Sequence, residues 1–309
     1  MLRFLRRRAL TSALPLIVVL LGVFVLARLT GDPTSLYLPE SATPAQREAF
    51  AEQNGFNDSL WQQMLDYLGN VVRLDFGESL RTGESAMTMA TRAFPATLQL
   101  AVTTMFIAIV AAVIIGSWAA FRPNSFADRI SSFLSMTAAS VPDFWFAITG
   151  VWVFAIVLGV LPTSGTDNGL LSWVLPIATL AIRPLGVLTQ VVRGAMVSAL
   201  SAPYVRLARS KGANDVRVVT HHALRNAAAP ALTVAGDLAV SLINGAVVVE
   251  TIFGWPGIGK LMIDSILGRD FVVLQAAVLL TAVAIFALNV VIDICYALLD
   301  ARVRETATV

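Results

Sequence analysis

Six long apolar runs, each with at most one charged residue, leave this chain few ways to fold. Ala9–Ala27 and Ala93–Phe121 carry no charge. Ile130–Val160, Leu170–Val192, Ala231–Val249 and Phe271–Leu299 hold Asp143, Arg183, Asp237 and Asp293 respectively. A helix needs about 20 mostly apolar residues to cross a bilayer. Lipid offers the backbone no hydrogen bonds, so a spanning segment is either a helix or a strand of a closed barrel. These runs are too continuous for the alternating pattern of a barrel. The expected fold is therefore all-α, a polytopic membrane protein with six transmembrane helices. Charged residues make up only 14% of the chain, against about 25% in soluble domains. High hydrophobicity with a net charge of +2 excludes a disordered chain and the dense basic face of a nucleic-acid binder. A single cysteine, Cys295, excludes a disulfide-built scaffold.

The first run has a basic start (Arg3, Arg6, Arg7, Arg8) like a signal peptide. It is longer than a signal core and lacks a small-residue cleavage site before Arg28, so a retained helix is expected. Lys and Arg set the orientation. With the N-terminus in the cytoplasm, fourteen basic residues lie inside and seven outside, which places both termini inside. The segment from Thr30 to Arg92 is then an external loop with nine acidic residues against four arginines. It is too long for a plain connector. Ala45–Asn54 and Ser59–Val72 read as short helices, with Pro44 opening the first and Asn57 or Asp58 capping the second. Trp61, Met64, Leu65 and Leu68 recur at helical spacing in the latter. The reading is a small cap on the outer face.

Catalytic and metal chemistry find little footing. Gly254-Trp-Pro-Gly-Ile-Gly259-Lys260-Leu261 matches the start of a phosphate-binding loop, but Leu261 stands where a magnesium-binding Ser or Thr is required. The stretch also follows a membrane span, so a turn-rich external loop is expected. His221 and His222 are adjacent and point to different helix faces, so they cannot chelate one ion together. Cys295 reads as a small core residue. No G-x-S-x-G elbow occurs. Asp143, Asp237 and Asp293 leave an aspartyl intramembrane protease as a remote alternative.

Ionisable groups within spans are costly and mark pathways or pairs. Arg183 adjoins Pro184 and comes shortly before Gly186, and Asp143 follows Pro142. Such breaks are tolerated where backbone lines a cavity or packs on protein. Two readings stand: a polar translocation path through Asp143, Arg183, Asp237 and Asn244, or structural pairing of Arg183 with an aspartate. Asp293, near the inner end of its span, reads as structural.

The long loop between the fourth and fifth runs is the most informative segment. It reads Ser201-Ala-Pro-Tyr-Val-Arg-Leu-Ala-Arg-Ser-Lys-Gly212-Ala-Asn-Asp and continues through His221-His-Ala-Leu-Arg-Asn226 to Pro230. Tyr204, Leu207 and Ala208 share one helical face, with Arg206 and Arg209 off it. Gly212 permits a left-handed stop. Asn214 or Asp215 can cap a second helix running to about Asn226, after which Pro230 introduces the fifth span. Two short helices at an angle make a rigid cytoplasmic knuckle. It suits docking into a partner's groove, or lying on the membrane surface through its basic residues.

Pro203-Tyr-Val-Arg-Leu-Ala-Arg-Ser-Lys-Gly212, the following His222-Ala-Leu-Arg-Asn226, and Pro230 together resemble the coupling loop of type I ABC importer permeases. The likeness is closest to the B-type subunit of the dipeptide and oligopeptide branch. Gly77-Glu-Ser-Leu-Arg-Thr-Gly83, Val248-Val-Glu-Thr-Ile-Phe-Gly-Trp-Pro-Gly-Ile-Gly259 and Tyr296-Ala-Leu-Leu-Asp-Ala-Arg302 are similar to that branch too, so the resemblance covers essentially the whole chain. Many ABC importers carry Glu-Ala-Ala where this chain has Arg206, Leu207 and Ala208, a departure shared by the peptide branch.

The resemblance implies a type I transmembrane domain in four segments: residues 1–29, an extracytoplasmic cap at 30–92, a five-helix core at 93–299 containing the coupling loop 194–230, and a tail at 300–309. It implies a non-catalytic subunit of an ATP-driven peptide importer in a bacterial cell membrane. The implied partners are a homologous second permease, two ATP-binding domains (separate or fused), an external substrate-binding protein, peptide substrate and membrane lipid. Tyr204, Arg206, Leu207, Ala208, Arg209, Lys211, Gly212 and Ala213 would meet the ATP-binding domains. ATP and magnesium would be held there, and this chain would need no cofactor or metal of its own. An ion-coupled secondary transporter is the alternative, and it would call for its own ion site and inverted repeats.

Overall fold

In the computed structural model, the described residues are 41–299 except 54, 56 and 80, with 17, 18, 20–22, 24, 25 and 38 before them. Most of the first apolar run and the tail at 300–309 therefore lie outside the described residues, although the described positions between 17 and 25 are helical. Ten helices follow: α1 (Pro44–Gln53), α2 (Leu60–Val72), α3 (Ala86–Phe121), α4 (Phe126–Ser140), α5 (Asp143–Gly150), α6 (Leu171–Ser201), α7 (Pro203–Ser210), α8 (Asp215–Phe253), α9 (Ile258–Leu267) and α10 (Phe271–Leu299). Wider, π-type turns continue α5 over Val151–Val157 and lie within the continuous α8 over Val218–Ala223. Among the described residues there is no strand, only a single bridge between Glu78 and Ser85. The helices α3, α6 and α8, and α10 over Phe271–Ile292, are long and apolar enough to cross a membrane. A fifth crossing is available if the pair α4–α5, bent by 101°, acts as one span.

The bend has a local cause. Val141 precedes Pro142, and the proline ring forces the residue before it out of helical geometry. Both residues are extended, with ψ of 135° and 140°. The apolar run Ile130–Val160 is thus a broken span.

The chain divides into two units. Residues up to 95 and 256–287 form the first, and residues 96–255 with 288 onward form the second. In the first unit, Ala86 and Ala90 of α3 pack with Ile258 of α9 and with Val273, Ala276 and Ala277 of α10. The loop before α3 is tied to α10 by Ser79, whose hydroxyl donates to the buried Asp270 carboxylate at 2.5 Å. The same oxygen accepts from the backbone N–H of Arg81 and Thr82, which accounts for the tight Gly77–Gly83 turn. The cap helices form as expected. Pro44 opens α1, but Ser59, rather than Asn57 or Asp58, caps α2, its hydroxyl accepting from Gln62 N–H. No residue of α2 is fully buried, and Trp61 and Leu65 are exposed.

In the second unit, α6 and α8 pack along each other, and α4 and α5 lie against α6. Leu175, Leu180, Leu188, Leu238, Leu242 and Val249 fill their core with Leu100 and Met105 of α3. Small residues set the spacing. A Cβ on Gly186 would stand 2.5 Å from the Ser135 carbonyl oxygen, and one on Gly116 would stand 2.9 Å from the Thr189 carbonyl. Close backbone approach at such residues is how membrane helices gain dispersion contact, because lipid is as apolar as leucine.

Gly186 and Gly194 lie on the same helix in opposite circumstances, since nothing stands within 4 Å of a Cβ at Gly194. Gly186→Ala is expected to cost about 1–3 kcal/mol by overpacking. Gly194→Ala should be neutral or stabilising by about 0.5–1 kcal/mol through helix propensity. Thermal unfolding of both variants in detergent checks the pair, and equal effects would refute it.

Candidate functional site: a docking knuckle and a polar stripe

The knuckle begins one residue beyond α6. Ala202 is extended and Pro203 occupies the first position of α7, where its missing N–H costs nothing and its fixed φ favours the helix. The helix ends in a Schellman motif. Ala213 N–H donates to the Ala208 carbonyl (3.1 Å) and Gly212 N–H to the Arg209 carbonyl (3.0 Å). Gly212 has φ +84°, the left-handed value this motif demands. Asn214 then caps the next helix, its side chain accepting from Arg217 N–H at 2.9 Å. Turn and cap together fix the angle between α7 and α8.

What anchors α7 is Val205, fully buried, and Val218 is its buried counterpart on α8. Ala223 and Ala227 pack with Val192, Met196 and Ala199 of α6 and Ala120 of α3. The face expected from periodicity points outward: Tyr204 and Leu207 are 41% and 56% exposed, and Ala208 is half-buried. Arg206, Arg209, Lys211 and Gly212 are exposed too, and Ala213 is half-buried. The Arg209–Asp215 pair, 3.5 Å apart with both partners open to solvent, adds little stability. The knuckle thus presents an apolar tip, Tyr204 and Leu207, within a basic rim.

One expectation is corrected. The helix opened by Asn214 does not stop at Asn226, and Pro230 does not start a new one. α8 runs unbroken from Asp215 to Phe253 with Pro230 inside it. Thirty-nine residues at 1.5 Å each make about 58 Å, roughly twice the hydrocarbon core. The second half of the knuckle and the fifth span are one rod. Likewise α6 carries the fourth span on to Ser201, so the loop proper is shorter than 194–230.

Along this rod one stripe is open. Asn226, Pro230, Thr233, Asp237, Ser241, Asn244, Val248 and Thr251 are all exposed and recur every three or four residues. Over residues 102–118 of α3 the exposed side chains are instead Val102, Phe106, Ile107, Val110, Ile114 and Trp118, as suits acyl chains. A polar stripe of this length on a membrane helix requires water or a polar protein partner. Asp237 and Asn244 lie on it. Ser241 between them was not picked out, though its spacing from both was readable. Asp143 begins α5 near α8, where a Cβ on Gly245 would meet its Oδ2 at 3.4 Å. Arg183 of α6 is exposed, and its charge acts on Asp143. Among the described ion pairs neither residue takes part. The structure therefore brings Asp143, Arg183 and the Asn244–Gly245 step of α8 to one neighbourhood, with Asp237 two turns away along α8. The side chain of Asp293, on α10, lies outside the described residues.

Two further groups escaped the sequence reading. Asp128 is buried on α4 and grips Arg193 of α6 through both carboxylate oxygens. Glu250 is buried near the C-terminal end of α8, where its Oε1 accepts from the Thr97 hydroxyl at 2.5 Å. Beside it the Trp255 indole donates to the Ala96 carbonyl and meets Trp173 edge-on at 4.6 Å. The phosphate-loop look-alike resolves into helix ends: Gly254, at φ +62°, closes α8, and Gly257 precedes α9. His221 and His222 lie in the π-type turn, and no cluster of metal-ligating side chains occurs among the described residues.

Residues 112–305 match the family described as "Binding-protein-dependent transport system inner membrane component". The chain is 35% identical over 310 residues to the oligopeptide transport system permease protein AppB of Bacillus subtilis, covering 97% of this chain and 98% of that protein. It is 37% identical over 334 residues to the di/tripeptide transport system permease protein DppB of Pseudomonas aeruginosa, covering 99% of each. Among solved structures, the inward-facing MetNI methionine ABC transporter matches with a TM-score of 0.58 at 16% identity, over 69% of this chain and 97% of that one. An amino acid ABC transporter crystallised with histidines matches with a TM-score of 0.51 at 15% identity, over 68% and 94%.

The Schellman stop makes a local prediction. Gly212→Val forces a β-branched residue into left-handed geometry and should cost roughly 1–2 kcal/mol. Gly212→Asn, which tolerates that geometry, should cost less. Hydrogen exchange at Ala213, whose N–H bonds the Ala208 carbonyl, should quicken in the valine variant well beyond the asparagine one. Equal protection in both would refute the cap.

Proposed function

The chain belongs to the family of binding-protein-dependent transport system inner membrane components, and from that premise we propose that it is the permease subunit of an ATP-driven importer of peptides. The carrying observation is the rod α8, which bears a docking knuckle at one end and an exposed polar stripe along its membrane-crossing length. The near-complete match to oligopeptide and di/tripeptide permeases supports the cargo class.

In this reading the apolar tip of Tyr204 and Leu207 enters a groove on an ATP-binding domain, and Arg206, Arg209 and Lys211 contact its rim. Ala208, Gly212 and Ala213 hold the tip rigid. ATP and magnesium belong to that partner, and this chain performs no chemistry. Closure of two such domains, separate or fused, pushes the knuckle. Nucleotide shifts the equilibrium only through contacts that differ between the two states, so a stiff knuckle transmits the difference where a floppy one would absorb it. Because α8 is continuous, the push reaches the stripe directly.

Asp237, Ser241 and Asn244, with Asp143 and Arg183 nearby, line this subunit's half of the path. A homologous second permease supplies the other half. A peptide is charged at both ends and polar along its backbone, so both a cation and an anion in the wall suit it. Groups that are mostly hydroxyl and amide bind it weakly enough to let go. Selection then rests with the external binding protein, which meets the acidic cap at 30–92. The positive-inside bias supports placing both termini and the knuckle in the cytoplasm of a bacterial cell, with residues 93–299 as the core.

Two measurements test this. Leu207→Asp puts a charge on the apolar tip, and ATP hydrolysis stimulated by binding protein and peptide should fall at least ten-fold in reconstituted complexes of unchanged subunit composition. Undiminished stimulation would refute docking. Replacing Asp58, Asp66 and Glu78 together with serine should weaken binding-protein affinity, more at low salt than at high. Equal affinity at both salt concentrations would remove the cap from the docking surface.

A further inference from the structure

We propose that Asp128 and Arg193 are a positioning pair that makes the bent span α4–α5 follow the coupling loop. The proposal rests on the importer reading above and adds residues that touch neither cargo nor ATP-binding domain. Arg193 donates to Asp128 in a two-pronged fork, with Nη2 2.6 Å from Oδ2 and Nε to Oδ1. The carboxylate is 2% exposed and the guanidinium side chain 25%. Oδ2 also accepts from the Asn124 backbone N–H at 2.8 Å, and Asp128 N–H donates to the Ser125 hydroxyl. The pair therefore grips the turn that starts α4 as well as the helix. Such forked, charge-assisted bonds are the strong and directional kind.

The pair does not act alone. Gln190, one turn earlier on α6, donates to the Ser132 carbonyl at 3.2 Å. Another turn earlier, Gly186 lets the backbones of α6 and α4 nearly touch at Ser135. Gly186, Gln190 and Arg193 share one face of α6, so α4 is held along its length against sliding and twisting. Beyond Arg193, α6 continues to Ser201 and gives way to α7 after a single residue. Past Ser140, α4 turns through the 101° bend into α5, whose first residue is Asp143. The pair thus joins the helix that leads into the knuckle to the helix that leads into Asp143.

A pair needed only for folding would affect assembly and leave the stroke unchanged. A pair that positions would uncouple ATP use from transport. The test is the number of peptides imported per ATP hydrolysed in proteoliposomes holding the full complex, with labelled alanine peptides two to five residues long. Asp128→Asn should lower this ratio at least ten-fold in complexes that retain all subunits. Asp128→Asn combined with Arg193→Gln should be no worse than either alone, because a unit can be broken only once. An unchanged ratio, or effects that add in the double variant, would overturn the proposal. Where the single variants fail to assemble, Asp128→Cys with Arg193→Cys in a Cys295→Ser background, joined by a short thiol cross-linker, decides. Coupled import by the joined complex supports the proposal, and an immobilised complex overturns it, since α4 and α6 must then separate. If the unmodified complex imports none of the peptides, the peptide reading itself fails, and the variants are not its cause.

Discussion

A peptide group in hydrocarbon has nowhere to turn for a hydrogen bond except its own chain, and every other feature of this protein is arranged around that constraint. It makes the spans helical and pushes irregular backbone to places where protein covers it. The break at Val141 and Pro142 obeys the rule. α4 and α5 on either side of it pack against α6, so the interrupted ladder is not left to lipid. The second core is accordingly built from close approach at glycine and alanine as much as from large side chains.

The same constraint makes polarity informative. A charged or amide side chain that faces lipid is expensive, so an exposed one on a membrane helix reports water or a partner. α3 and α8 cross the same bilayer with opposite outer faces, one aromatic and aliphatic, the other threaded with Thr233, Asp237, Ser241 and Asn244. The contrast assigns different neighbours to the two helices without reference to any relative. Buried polar groups behave differently again. Asp128, Glu250 and Asp270 each find hydroxyl, amide or guanidinium partners at the ends of helices, where free backbone groups and side chains can meet.

Local signals were legible in the sequence because they depend on local physics. Composition and run length gave the membrane class, and turn residues gave the knuckle: Gly212 stopping one helix and Asn214 starting the next both do so. Three things were not legible. Pro230 was read as a boundary, yet a helix tolerates proline where neighbours compensate the lost bond. The outward direction of Tyr204 and Leu207 depended on Val205 meeting a surface that periodicity cannot describe. The Arg193–Asp128 fork joins residues 65 apart, and each looked like ordinary charge at the edge of an apolar run. Pairing across a bundle is a property of packing, and a single sequence carries no record of it.

In the proposed importer these features bear on how a push on one surface would become a change in a path through the bilayer. Helix is stiff along its axis and turns are not, so displacement is conserved along α8 and can be lost at each loop. In the second unit the losses are blocked where they would occur. The α7–α8 turn is locked by the Schellman bonds and the Asn214 cap. The α6–α7 turn is a single residue backed by buried Val205. The α3–α4 turn is held by Asp128 on Asn124 and Arg193. What these contacts leave untied is the 101° bend before Asp143. Rigid turns would concentrate the proposed importer's motion at this bend, and the bend carries an aspartate within reach of Arg183's charge and the Asn244 step of α8.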